Sequence, residues 1–513
     1  MLNGKEKVVL WICRCVLGMS LNLERRDKVD ITSFQYLMFI VIGITVYYSI
    51  PLKLRYKWLI ILSFLFMFSA SKFGFVIVFC TSFLVYKVAI MIEYASSKKK
   101  ILLGAMTVCI VILVCLKYLT QLLPETNKQY ITYYIVPIGI SYYTLQIISY
   151  LCDVYWERIP AEQSYSRILL FTCYFPQMVQ GPISKYNEME PELFAEHKFE
   201  WKNIKYGVQL ILWGFFKKMV IADRIGVVVN SIFFSGTKPY GMTVIIGLLL
   251  YGIQLYGNFS GGIDVIRGVS ECFGIGMIDN FNQPFFSKSV GEFWRRWHIS
   301  LGRWMKDYVF YPFSISKSMG RLKKYLKNVV GRKYANKIVM AVANILVFAL
   351  VGVWHGLGTN NLGWGLYYGF LLAAGILLES QCNLLKNRLH ITSDANYWKG
   401  INWVRTFMLI TLGWVFDCSY SMGGAIELVR NMFKFKLSNF SMFSLTNLEL
   451  VMWVLATVTL FVVDLLHERQ VSIRDELSKK NYWIQLIVWI VIIQMIACFG
   501  RVPDAGGFIY ENF

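Results

Sequence analysis

Apolar residues recur in long runs along almost the whole chain, and no soluble domain separates them. A helix needs about 20 mainly apolar residues to cross a bilayer's hydrocarbon core. Candidate spans lie at 34–50, 58–70, 73–92, 101–119, 130–151, 204–216, 242–256, 338–354, 362–378, 403–416, 448–466 and 482–499. This pattern predicts an all-α polytopic membrane protein with about 11–13 transmembrane helices. Residues 1–30 precede that domain. Their apolar stretch after Lys5 and Lys7 is broken by Arg14 and is short for a span, so an interfacial helix is expected there.

Three stretches resist reading as plain spans. Residues 165–186 are apolar but hold Pro176, Pro182, Gln177 and Gln180. Residues 254–273 run through Gly257, Asn258, Ser260, Gly261, Gly262, Asp264 and Arg267. Residues 281–313 mix aromatics with Arg295, Arg296, His298, Arg303, Lys306 and Asp307. Irregular or charged backbone survives at membrane depth only when buried in protein or lining a wet cavity. These stretches are therefore expected to be re-entrant segments or cavity walls.

Composition strengthens the membrane reading. Hydrophobic residues make up 56% of the 513, and charged residues only 16%, against about 25% in soluble domains. Mean hydropathy is +0.49. The net charge of +21 sits in short basic clusters between apolar runs, where it encodes orientation rather than nucleic-acid binding. Lys53, Arg55 and Lys57, then Lys98 to Lys100, fall on one side, read as cytoplasmic. The strongest signal, 316–337, carries Lys317, Arg321, Lys323, Lys324, Lys327, Arg332, Lys333 and Lys337 without an acidic residue. Alternation from there puts Gly356 and the C-terminus outside. Arg25, Arg26 and Lys28 run against this scheme. The cysteines lie mostly in apolar segments and show no metal-ligand spacing, so they read as small hydrophobes.

Candidate chemistry is sparse. No nucleophile elbow, Walker loop, dinucleotide fingerprint or zinc signature occurs. Of five histidines, His197, His390 and His467 sit in charged loop contexts. His355 instead ends an apolar run in Gly352-Val353-Trp354-His355-Gly356, and His298 follows Phe293-Trp294-Arg295-Arg296-Trp297. An ionisable group in a membrane segment is a functional candidate, and imidazole titrates where it can accept a hydroxyl proton.

At these residues the sequence resembles the membrane-bound O-acyltransferase family. The likeness is to its bacterial alginate and polysaccharide O-acetyltransferase-like branch, related to the D-alanyl transfer protein of teichoic acid modification. Asn282-Gln283-Pro284-Phe285-Phe286, Phe293 to Leu301, Trp304 and Asp307-Tyr308-Val309 resemble its signature block. Phe175-Pro176-Gln177 with Gln180-Gly181-Pro182-Ile183 resembles a second motif, and Asn258-Phe259-Ser260-Gly261 with Asp264 a third. The segment around His355 resembles the catalytic histidine site. Asn258 stands where the family pattern has Asp, and Gly262 and Ile263 replace Tyr-Ser. The resemblance centres on residues 175–369.

The resemblance implies a ring of helices around a central tunnel in the cell membrane, with no bound cofactor or metal. The acyl donor would be acetyl-CoA or an acyl-carrier thioester. The acceptor would be a hydroxyl of an extracellular polysaccharide, or an extracytoplasmic SGNH-type acyltransferase partner. His355 and His298 would be catalytic. Trp354, Trp294, Gln177, Gln180, Asn258, Asp264, Arg295 and Arg296 would line the path, and Tyr510 is a candidate acyl relay. The alternatives are D-alanyl transfer to teichoic acid and a transporter of polysaccharide precursors.

Overall fold

A computed structural model describes residues 33–124, 131–132, 134–236, 238–392, 394–434 and 445–501. The expected N-terminal extension and Tyr510 lie outside the described residues. These residues are mostly helical, with one isolated bridge between Phe281 and Trp297. Contacts divide them into two compact units. Of the described residues, one comprises 33–215 with Gly261–Ile278, the other Phe216–Ser260 with Asp279–Arg501.

The first unit holds α1 (Phe34–Ser49), α2 (Arg55–Ala70), α3 (Gly74–Tyr94), α4 (Lys98–Leu113), α5 (Ile140–Tyr155), α6 (Tyr165–Cys173), α7 (Phe175–Gln180), α8 (Tyr186–Phe194) and α9 (Trp201–Phe215). In the second unit α10 (Asp223–Phe233) follows a π-helical stretch, Phe216–Ala222. Helix α11 (Met242–Cys272) starts in the second unit and ends in the first. The second unit continues with α12 (Val290–Arg296), α13 (Ile299–Met305), α14 (Tyr311–Ser314), α15 (Lys317–His355), α16 (Thr359–Arg388), α17 (Asn396–Gly413), α18 (Met422–Met432), α19 (Asn447–Glu468), α20 (Ile473–Ser478) and α21 (Tyr482–Phe499).

Among the described residues, seven helices are long and apolar enough to cross a membrane: α3, α4 with its extension to Tyr118, α11, α15, α16, α19 and α21. The runs at 34–50, 58–70, 130–151, 204–216 and 403–416 fold as α1, α2, α5, α9 and α17, which are only 15 to 18 residues long. Every residue of α5 from Ile140 to Val154 is buried in protein, its Ser, Tyr, Thr, Gln and Asp side chains included, whereas the more apolar α21 has no buried residue.

Of the three irregular stretches, two are broken as expected. Residues 165–186 form α6 and α7 around a non-helical Tyr174 (φ −53°, ψ 108°). Pro176 lacks an N–H that the first turn of a helix would leave unpaired anyway, so it suits the start of α7. Ser63 Oγ accepts the freed Phe175 N–H at 3.1 Å. Residues 281–313 form short helices joined by turns.

For the third stretch the re-entrant alternative is corrected. Residues 254–272 are not re-entrant but belong to the continuous, 31-residue α11. Its glycines serve close helix crossing: a Cβ on Gly261's neighbour Gly214 would meet the Gly261 carbonyl oxygen at 2.5 Å, and one on Gly207 the Gly268 oxygen at 2.5 Å. Small residues let backbones approach in this way. Ser260 is satisfied within the protein: its Oγ donates to Tyr256 O (2.7 Å) and accepts from Lys217 Nζ (3.0 Å). The basic stretch expected to be a loop is likewise helical, forming the first part of α15 with a break at Gly331 (φ 79°).

Candidate active site

His355 is the last residue of α15, and Gly356 turns the chain into α16. The two helices pack along a glycine seam. A Cβ on Gly352 would lie 2.3 Å from Asn361 O, and one on Gly365 2.3 Å from Phe348 O. Only glycine allows this approach, and it fixes where the helix end presents its imidazole. The His355 ring is half-buried, with Trp354 at 5.0 Å and Trp364 at 5.4 Å between centroids, both edge-on.

Trp364 connects His355 to the signature block. Its ring lies 5.3 Å from Trp294, which also meets Tyr368 at 4.7 Å and Phe348 at 5.4 Å. Trp294 lies on α12, capped by Ser289 Oγ accepting the Glu292 N–H at 3.1 Å. Phe293 then stacks on Trp297 at 5.5 Å. Aromatic pairs of this kind add about 0.5–1.5 kcal/mol each beyond burial.

His298 sits in the turn between α12 and α13 with φ 46° and ψ 53°. This left-handed conformation costs a non-glycine residue about 1–3 kcal/mol. The 280–282 strand-like segment holds it: Asn282 N–H donates to Arg296 O at 2.9 Å and Ile299 N–H to Asn280 O at 3.0 Å. The imidazole is buried, with Phe259 edge-on at 4.8 Å. Its Nδ1 lies 3.2 Å from Asn280 Oδ1. The same oxygen accepts from Ser300 N–H (3.0 Å) and Ser300 Oγ (2.9 Å). A backbone N–H can only donate, so the Asn280 atom facing His298 is an oxygen and Nδ1 carries the proton. Nε2 is thus the lone-pair nitrogen, and it has no hydrogen-bond partner among the described residues. Burial pushes this imidazole down to about 3, so it stays neutral at physiological pH.

The remaining predicted residues divide between the units. Trp354 and Asn258 are buried in the second, and Asn258 precedes the Phe259 that touches His298. Arg295 is exposed. Arg296 is committed to carboxylates: Nη1 and Nη2 donate to both Glu468 oxygens (2.5 and 3.1 Å), and Nη2 lies 2.7 Å from Glu292. It anchors α12 to α19. Gln177, Gln180 and Asp264 belong to the first unit. Asp264 lies 3.9 Å from Arg267. Sequence reasoning missed Asn280, Trp364 and Tyr368. Asn280 lies two residues before the signature block, and its place there was the available signal.

Comparison with known proteins fits this geometry. The family model described as membrane-bound O-acyltransferase family matches residues 108–422. A probable alginate O-acetylase of Pseudomonas aeruginosa is 30% identical over 333 residues, 64% of this chain and 58% of that protein. A peptidoglycan O-acetyltransferase of Helicobacter pylori is 30% identical over 324 residues, 58% of this chain and 57% of that protein. A teichoic acid D-alanyltransferase of Bacillus subtilis is 34% identical over 244 residues, 46% of this chain and 58% of that protein. The matches thus span under two thirds of these relatives' length. With the two histidines set as described and more than half the sequence inside the family match, the chain belongs to the membrane-bound O-acyltransferase family.

Proposed function

We propose that this protein is an O-acyltransferase of the cytoplasmic membrane that moves an acyl group, acetyl on this reading, from a cytoplasmic thioester to a hydroxyl outside. The donor is acetyl-CoA or an acyl-carrier thioester, and the acceptor an extracellular polysaccharide or an SGNH-type partner. The observation that carries the reading is His355, half-buried at a helix end that a glycine seam fixes and aromatic rings connect to the signature block.

The chemistry follows from what each group can do. His355 takes the proton of the acceptor hydroxyl as its oxygen attacks the thioester carbonyl. The C–S bond breaks, and the proton returns to the departing thiolate. His298 contributes a neutral lone pair at Nε2, which can accept a hydrogen bond from an acceptor hydroxyl. Its N–H is used by Asn280, so this tautomer orients the acceptor and does not polarise the carbonyl. The exposed basic face of α15, from Lys317 to Lys333, suits a CoA phosphate or an acidic carrier.

The test is vectorial. Protein in sealed liposomes receives labelled acetyl-CoA on one face and polysaccharide on the other. Label reaching the polysaccharide only across the membrane supports the reading; transport of polysaccharide without acylation contradicts it. The similarity to a D-alanyltransferase makes D-alanyl carrier thioester the second donor to supply.

A further inference from the structure

Two polar side chains close to His355 have unused hydrogen-bonding capacity. Asn361, in the first turn of α16, is half-buried, and its amide has no hydrogen-bond partner among the described residues. Asp417, in the turn after α17, is half-buried too, with neither a hydrogen bond nor an ion pair to its carboxyl among the described residues. Its neighbours Trp414, Val415, Cys418 and Ser419 are all buried. A carboxyl in such a setting ordinarily finds a partner within the protein. Both groups belong to the second unit, as His355 does.

Contacts place both at the helix end that carries His355. A Cβ on Gly356, the residue after His355, would lie 2.5 Å from Asn361 Nδ2. Asn361 and Trp364 are three residues apart on α16, so they share one helix face, and the Trp364 ring meets His355 at 5.4 Å. Asn360 ties in the other stretch. Its Nδ2 donates to Phe416 O at 3.1 Å and to Ser419 O at 2.9 Å. The carbonyls on either side of Asp417 are thereby held on the first turn of α16. Met422 N–H adds a bond to Thr359 Oγ1 at 3.1 Å.

The chemistry of the pair narrows what it can receive. The surroundings of Asp417 push its carboxyl up to about 8, so at neutral pH it is mostly protonated and, like an amide, both donates and accepts. A hydroxyl group does the same. Neither 355–364 nor 414–422 holds a lysine or arginine, the residues that ordinarily meet a carboxylate or phosphate. A ring bearing an anionic group would find no counter-charge in these stretches. We propose that Asn361 and Asp417 seat hydroxyls of an uncharged sugar ring and present one of them to His355. This rests on the acyl-transfer reading above and narrows its acceptor to an uncharged glycan.

The experiment compares wild type, Asn361→Leu, Asp417→Leu and Asp417→Asn in detergent, with elution volume and melting temperature as folding checks. The uncharged probes are maltohexaose, cellohexaose and N-acetylchitohexaose, and the anionic probe is hexamannuronate. Calorimetry reads equilibrium binding, and thiol release reads consumption of acetyl-CoA. The proposal expects wild type to bind an uncharged probe at least about tenfold more tightly than hexamannuronate. Each leucine variant should weaken that binding about tenfold, one hydrogen bond's worth, with the KM for acetyl-CoA unmoved. Asp417→Asn, which keeps a donor and an acceptor, should recover most of it. Hexamannuronate binding as tightly as the uncharged probes overturns the proposal, and so does unchanged binding in either leucine variant. If acetyl-CoA consumption depends on His355 but no uncharged probe binds, the acyl-transfer reading stands and the seat fails. If a probe binds through Asn361 and Asp417 while acetyl-CoA is never consumed, the seat stands and the acyl-transfer reading fails.

Discussion

His298 Nδ1 and Asn280 Oδ1 lie 3.2 Å apart, and the oxygen also receives the Ser300 N–H and hydroxyl. One amide therefore sets the tautomer of a buried histidine held in left-handed backbone. Replacing Asn280 by Ala should leave Nδ1–H and the Ser300 groups unpaired and let the imidazole choose either tautomer. The expected outcome is a fall in kcat of about 10–100-fold, the scale of losses when an orienting partner of a histidine is removed. Steady-state kinetics with saturating donor checks it; an unchanged kcat would show that the tautomer is irrelevant.

The same burial predicts a pH effect on stability. The folded-state pKa of His298 is depressed to about 3, while an unfolded histidine titrates near 6.5. Its contribution is complete above about pH 6.5 and is lost as pH falls towards 3, by up to about 1.4 kcal/mol per unit. Melting temperatures between pH 7.5 and 5 should drop more for wild type than for His298→Asn, whose amide still donates to Asn280. Parallel slopes would contradict the assignment.

Gly352 and Gly365 should not tolerate a side chain, since a Cβ at either position meets backbone oxygen at 2.3 Å. Gly365→Val is expected to open the α15–α16 seam, lowering both the yield of folded protein and activity. Gly375, whose added Cβ meets nothing within 4 Å, provides the control: Gly375→Ala should behave as wild type in size-exclusion profile and melting temperature.

Trp294 touches Trp364, the ring beside His355, together with Tyr368 and Phe348. Trp294→Ala should destabilise the second unit by about 2–4 kcal/mol, somewhat less than a fully buried tryptophan. It should also lower activity. Trp294→Phe should retain most of both, as read by denaturant titration and turnover.

Much of this was legible in the sequence, and the failures have physical causes. The helical membrane class followed from apolar run length, and the breaks at Pro176 and in the 281–313 stretch from backbone chemistry. Which apolar helices are wrapped in protein was not legible: α5 is buried from Ile140 to Val154 while α21 buries no residue. The glycines of 257–262 look like helix breakers until their close partners are known. The pairing of Arg296 with Glu468 was not legible, because its partner lies 172 positions away. His298 was visible as a candidate, but its tautomer required Asn280.

The most direct test of the account follows labelled acetyl-CoA through His355→Ala beside wild type in sealed liposomes, with acceptor polysaccharide on the far face. The account predicts that the variant folds, binds donor as wild type does, and transfers label at least about 100-fold more slowly. Transfer by His355→Ala at the wild-type rate would contradict it.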